Sequence, residues 1–147
     1  MILFFSCMSN KNNDIQSISE EEKGIAMNLV QGAFDHLWAE ADSTKILDYH
    51  TEDFIILEQG EIWDNDRIKQ FMRDLHSRPN QYKRINKMDY ISIDKYGKSM
   101  QIAYWNDGEF YQNDSLKFEA RWLESALAIE TPKGWRLKSM HSTRVNK

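Results

Sequence analysis

The chain has 147 residues, of which 41% are apolar and 12% aromatic, which is material for one hydrophobic core rather than two. Its formal charge of -4 arises from acidic and basic residues scattered together, with no basic stripe to neutralise a phosphate backbone, so the composition argues against nucleic acid as a partner. No apolar run has membrane-spanning length, and the single cysteine, Cys7, excludes an intrachain disulfide and any multi-cysteine metal site.

At the N-terminus, Ile2-Leu3-Phe4-Phe5-Ser6 is a short apolar run with a small residue before Cys7, and the following residues to Ser17 are rich in Ser and Asn. This resembles the end of a bacterial lipoprotein signal, in which the cysteine is lipidated and becomes the mature N-terminus. The basic region and longer apolar core of such a signal are not in the sequence, so this reading places the true start upstream. It implies membrane attachment through a lipid on Cys7 and a location at the cell envelope; if the match is chance, the location is cytoplasmic. Residues 1–18 are therefore read as a signal-like remnant and polar tether, and residues 19–147 as one domain.

Ser19 followed by Glu22 forms a capping box, with Glu20 and Glu21 in the first turn where the helix dipole favours acids. Ala26, Val30, Ala33, Leu37 and Ala41 recur at helical spacing, with Leu29, Phe34 and Trp38 widening the stripe, which predicts a first helix to about Glu40. Asp42 or Ser43 caps a short second helix ending near Tyr49 and His50. Phe54 to Glu58 reads as a strand, turned by Gln59-Gly60 into Glu61-Ile62-Trp63. Asp64 or Asn65 caps a third helix with Ile68, Phe71, Met72 and Leu75 on one face, before Pro79 bars continuation.

A long strand is predicted from Tyr82 to Asp94, its alternation breaking around Lys87 to Asp89 as at a bulge or edge. Tyr96-Gly97-Lys98 turns it into a strand that carries Met100, Ile102 and Tyr104 on one face. Asn106-Asp107-Gly108 and Gln112-Asn113-Asp114 both have turn composition. From Leu116 to Ile129 and from Trp135 to Val145 two further runs of strand character flank Thr131-Pro132-Lys133-Gly134, predicting a long antiparallel hairpin. Period two in the last strand puts Trp135, Leu137, Ser139, His141 and Thr143 on one face, apolar at its start and polar from His141, as where a sheet passes from core to pocket. Helices before an antiparallel meander make this an α+β domain, with three N-terminal helices packed on one face of the sheet.

The tryptophan-led strand with Arg121, Trp122 and Glu124 to Ala126, then Gly134-Trp135-Arg136-Leu137 and His141-Ser142-Thr143, resembles the C-terminal hairpin of the NTF2-like superfamily, in particular its SnoaL-like and DUF4440-type branch. The resemblance extends more loosely from about Ser19 to the C-terminus. It implies a cone: a curved, mostly antiparallel sheet wrapped round the long first helix, with a pocket at the mouth. Carried over position by position, the pocket would draw on Tyr49, His50, Asp53, Trp63, Tyr104, Trp122, Glu124 and His141. Aromatic walls exclude water, and a carboxylate or imidazole among them can have its pKa moved toward neutrality, as general acid/base work requires.

Three readings follow. The first is a non-catalytic module that binds a small apolar or amphipathic molecule, with Tyr49, Trp63, Tyr104, Trp122, Glu124 and His141 as ligand contacts. The second is a SnoaL-like acid/base enzyme of isomerase, cyclase or dehydratase type, with His141, Asp53 or His50 as base. The third is an accessory domain that forms a homodimer through its outer sheet face, near Lys117, Glu119 and Arg121. No metal or cofactor is expected: the sequence has no HExxH, no Cys/His zinc spacing, no glycine-rich phosphate loop and no G-x-S-x-G elbow.

Overall fold

In the computed structural model, which describes residues 17–145, the reciprocal cap at Ser19 is formed in both directions. The Ser19 hydroxyl accepts from the Glu22 amide at 3.1 Å, and the Glu22 carboxylate accepts from the Ser19 amide at 3.0 Å. Cys7, the expected lipidation point, lies outside the described residues. Helix α1 runs Glu20–Ala33 and continues as a π-helical segment, Phe34–Ala39. The wider turn, closed by the Glu40 amide donating to the Asp35 carbonyl at 3.0 Å, keeps Phe34, Leu37 and Trp38 all buried. Asp42 caps a short 3₁₀ turn that leads into α2, Ile46–Tyr49. Helix α3, Asn65–His76, is capped by Asp64 and buries Ile68 and Met72.

The strands are β1 (His50–Glu58), β2 (Glu61–Asp64), β3 (Lys83–Tyr96), β4 (Ser99–Gln112), β5 (Ser115–Thr131) and β6 (Gly134–Val145). They form one curved, unclosed sheet in the order β2-β1-β6-β5-β4-β3, antiparallel throughout except for the β1–β6 pair. The three helices pack on it, in an α+β arrangement of NTF2-like type. Ala26, Val30, Leu37, Phe54, Ile102, Ala126 and Leu137 are among the side chains that fill the core between helices and sheet.

Three local expectations differ from the structure. The break in β3 comes at Ile91, between Tyr90 and Ser92, so Arg84, Asn86, Met88 and Tyr90 form one uninterrupted alternation on the inner face. Asn106-Asp107-Gly108 does not turn, because Met88 and Trp122 flank Asn106 on neighbouring strands and hold it within β4. The turn is made instead at Asn113 and Asp114, both with positive φ.

The third difference decides the site. Ala128 pairs with Leu137, but Leu127 pairs with Ser139, which leaves Lys138 as an extra residue in β6. A one-residue insertion reverses every later side chain. Leu137, Met140 and Ser142 are buried, whereas His141 is exposed on the outer face opposite Leu57 and Ser125. The inward face expected for His141 is thus corrected. Strand β1 slips over the same span, and Asp53 on the slipped segment is ion-paired with Lys138.

Because of this reversal, His141→Ala is expected to change unfolding free energy by no more than about 0.5 kcal/mol. Ser142→Ala, which removes a donor from buried Glu124, should cost about 1–3 kcal/mol. Urea denaturation of both variants checks the pair, and the opposite ranking would restore the uninterrupted strand.

Candidate functional site

Alternation on five strands brings one row of side chains across the inner face. Glu58 of β1 is level with Ser142 of β6, Ser142 with Glu124 of β5, Glu124 with Tyr104 of β4, and Tyr104 with Tyr90 of β3. Above the Glu58 end of this row, between the sheet and the π-helical segment, is a hollow of about 390 Å³. Its walls are aromatic: Phe34 and Trp38 from the π segment, Trp63 from β2, Phe71 from α3 and Trp122 from β5. Glu58, Gln59, Glu61, Arg84, Glu124 and Ser142 supply its polar side chains. A second hollow of about 370 Å³ adjoins it and shares Trp38, Phe71 and Arg84.

Glu124 is only 5% exposed. Its carboxylate accepts from the Ser142 hydroxyl at 2.8 Å and from the Asn106 amide at 3.1 Å, and the oxygen of Asn106 accepts from Asn86 at 2.6 Å. Burial pushes its pKa up to about 7, although the Ser142 and Asn106 bonds and the Arg84 charge oppose the rise. Near neutral pH the group is therefore divided between acid and carboxylate. Burial also raises Glu58, against Ser142, Arg84 and His141.

Arg84 is the half-buried cation of the site. Its guanidinium carbon lies 5.1 Å from the Trp122 ring centroid, 5.4 Å from Phe110 and 5.8 Å from Phe34. Burial lowers its pKa to about 10, with Glu124 and Glu58 acting in the other direction, so it stays charged at neutral pH. Among the described residues it makes no ion pair within 4.0 Å, and its Nε has no hydrogen-bond partner.

Of the residues expected at the pocket, Trp63, Trp122 and Glu124 line the hollow. Tyr104 lies under it, fully buried and edge-on to Phe34 at 6.4 Å; its hydroxyl feels the Glu124 charge but has no hydrogen bond of ordinary geometry. Tyr49 is elsewhere, stacked on His36 at 5.7 Å and against Gly32. Asp53 is on the surface, held below the usual carboxylate range by Lys138 and Thr51. His141 borders a shallow depression of the outer face with Ile55, Leu57 and Ser125.

His50 is buried in the core, stacked on Phe54 at 3.6 Å. The Asn65 amide nitrogen donates to the Thr51 and Glu52 carbonyls, so its oxygen faces His50 Nδ1 at 3.0 Å and assigns the proton to that nitrogen. Nε2 is buried with no partner, and burial lowers the pKa to about 4. The structure thus brings together none of His141, Asp53 and His50.

Of the lining polar groups not expected at the pocket, which are Glu58, Gln59, Glu61, Arg84 and Ser142, the sequence pattern already pointed to Glu58 and Arg84. Glu58 continues the alternation of Phe54 and Ile56, and Arg84 that of Met88 and Tyr90. Among the described residues no group of three or more His, Cys, Asp or Glu side chains is placed to hold a metal ion.

The two buried titrating groups act in opposite directions on stability. The contribution of Glu124 is whole below its ordinary value of 4.5 and is lost as pH rises to about 7; that of His50 is whole above 6.5 and is lost as pH falls to about 4. Relative to the parent, Glu124→Gln should therefore gain stability as pH rises from 4.5 to 7, by up to about 1.4 kcal/mol per pH unit. His50→Gln should gain as pH falls from 6.5 to 4. Denaturant titrations across pH 4–8 read both differences, and flat difference curves would contradict the burial of these groups.

Gly108 also shapes the wall. A Cβ there would stand 2.9 Å from Trp122 Cζ3 and 3.2 Å from Phe110 Cε2. Gly108→Ala should displace the Trp122 indole and shift its N–H resonance by more than those of the other tryptophans; an unmoved Trp122 signal would contradict this packing.

Neither a protein-family model nor a curated protein matches the chain in sequence. Solved structures do match in three dimensions. An NTF2-like protein of unknown function from Prochlorococcus superposes with a TM-score of 0.67 at 12% identity, covering 88% of this chain and 96% of its own. The CaMKII hub of S. rosetta gives 0.66 at 16% identity, covering 83% and 95%. A ketosteroid isomerase-like protein from Erwinia carotovora gives 0.63 at 11% identity, covering 88% and 100%. At these identities the likeness establishes the NTF2-like fold.

Proposed function

We propose that the protein is a non-catalytic binder of a small apolar or amphipathic molecule, of the SnoaL-like and DUF4440-type branch, with the ligand in the aromatic hollow at the mouth of the cone. The observation that carries this reading is the hollow itself, about 390 Å³ in volume and walled by Phe34, Trp38, Trp63, Phe71 and Trp122. The separation of His141, Asp53 and His50 supports binding over chemistry by that set. A lipid on Cys7 would hold the domain at the cell envelope. Exposed Ile55, Leu57 and Leu123 on the outer sheet face favour pairing as a homodimer.

One observation favours the acid/base alternative, with a different base. Glu124, whose pKa lies at about 7, faces the hollow below Trp122 and could accept a proton from a bound molecule.

The neutral fluorophore N-phenyl-1-naphthylamine tests the reading. It should bind the parent with enhanced emission, bind Trp122→Ala at least about tenfold more weakly, and bind His141→Ala as the parent does. Loss of binding in His141→Ala alone, or none in the parent, contradicts the proposal. Native mass spectrometry of protein from its host separates the two readings: a co-purified molecule returned unaltered after incubation supports binding, while a conversion abolished by Glu124→Gln supports the enzyme.

A further inference from the structure

Arg84 and Trp38 both line the hollow, and each has a buried N–H, at Nε and Nε1, with no hydrogen-bond partner among the described residues. Both residues also line the adjoining hollow, so they stand where the two cavities meet. A guanidinium partly withdrawn from water without a paired carboxylate is costly, and the cation–π contacts with Phe34, Phe110 and Trp122 offset only part of that cost. What such a group lacks is an acceptor with two coplanar oxygens.

We propose, resting on the ligand-binding reading above, that the molecule held in the cone is a small monocarboxylate with an apolar tail, its head group on Arg84 and its tail between Trp63 and Trp122. The surrounding charge selects the class. Glu58 and Glu61 lie in the same walls, so a dianionic phosphate would meet repulsion that one guanidinium does not balance. An ammonium head group would meet Arg84, while Glu61 already accepts from the Trp63 indole at 2.8 Å. A singly charged carboxylate suits Arg84, the one cation among the residues that line the hollow.

Binding is coupled to a proton. Glu124 is faced by Arg84 from β3, Glu58 from β1, Tyr104 and Asn106 from β4, and Ser142 from β6, with Arg144 of β6 beyond it over Trp122. With its pKa at about 7 it is protonated over much of the range in which the ligand is ionised. Its ionisation places a second carboxylate near the bound one, so affinity falls as pH rises through that value.

Calorimetry with 3-phenylpropionate, 3-phenylpropionamide and 3-phenylpropylamine at pH 6 and pH 8 tests the proposal. The acid is expected to bind the parent at least about tenfold more tightly than the amide, and more tightly at pH 6 than at pH 8, with the amine weakest. Arg84→Gln, shown to be folded by its thermal transition, should bind acid and amide alike. Should that variant fail to fold, Glu124→Gln provides the second reading, since its affinity for the acid should lose the dependence on pH. Equal binding of acid and amide by the parent, with N-phenyl-1-naphthylamine still bound, overturns the carboxylate class and leaves the pocket standing. Tightest binding of the amine overturns it equally, and failure of every probe, including the neutral fluorophore, overturns both readings together.

Discussion

The register of β6 against β5 governs what the cone contains. Had the strand run without interruption from Trp135 to Val145, an imidazole would project inward beside Glu124. The extra residue at Lys138 reverses the strand after Leu137, so Ser142 meets Glu124 and His141 faces out. Strand β1 slips over the same span, and the Asp53–Lys138 pair joins the two irregular segments on the outside of the sheet. Bulges bend the strands they interrupt, so the feature that selects the inner side chains also contributes to the curvature that makes a cone.

The electrostatic character of the interior follows from that selection. With imidazole excluded, the polar content of the hollow is carboxylates, amides, hydroxyls and one guanidinium. Asn86, Asn106, Glu124 and Ser142 are joined by hydrogen bonds across four strands, and of this set only the Asn86 side-chain oxygen is buried without a partner. Arg84 stands outside this relay with its nearest charged neighbours beyond ion-pair distance. The hollow thus combines an apolar lining, a carboxyl group that changes charge near neutrality and a cation with unused donors. The proposed ligand binding rests on this combination, in which aromatic walls would provide area and a few polar groups would fix orientation.

The parts of the fold that were legible in the sequence are those set by short-range chemistry. The Ser19–Glu22 box, the Asp42 and Asp64 caps, the positive φ at Gln59 and Gly60 and the stripe of α3 all depend on residues within a few positions of one another. Features set by a partner strand were not legible. Asn106-Asp107-Gly108 has the composition of a turn and is a strand because β3 and β5 hold it on both sides; Gly108 is needed there because Trp122 covers it. No residue type announces the bulges at Ile91 and Lys138, which appear only in the pairing. Trp63, Trp122 and Glu124 were placed by family resemblance, and Glu58 and Arg84 were within reach of a strict reading of alternation in β1 and β3. His50 had the right residue type and the wrong surroundings, since Asn65 and Phe54 hold it in the core.

Glu124, and not a histidine, is the buried side chain that changes charge near neutral pH beside the hollow. Its side-chain carboxyl carbon can be followed by NMR during a pH titration of the ligand-free protein. A midpoint near 7 is the predicted result. A midpoint near the ordinary glutamate value of 4.5 would place that carboxyl in water and contradict the account.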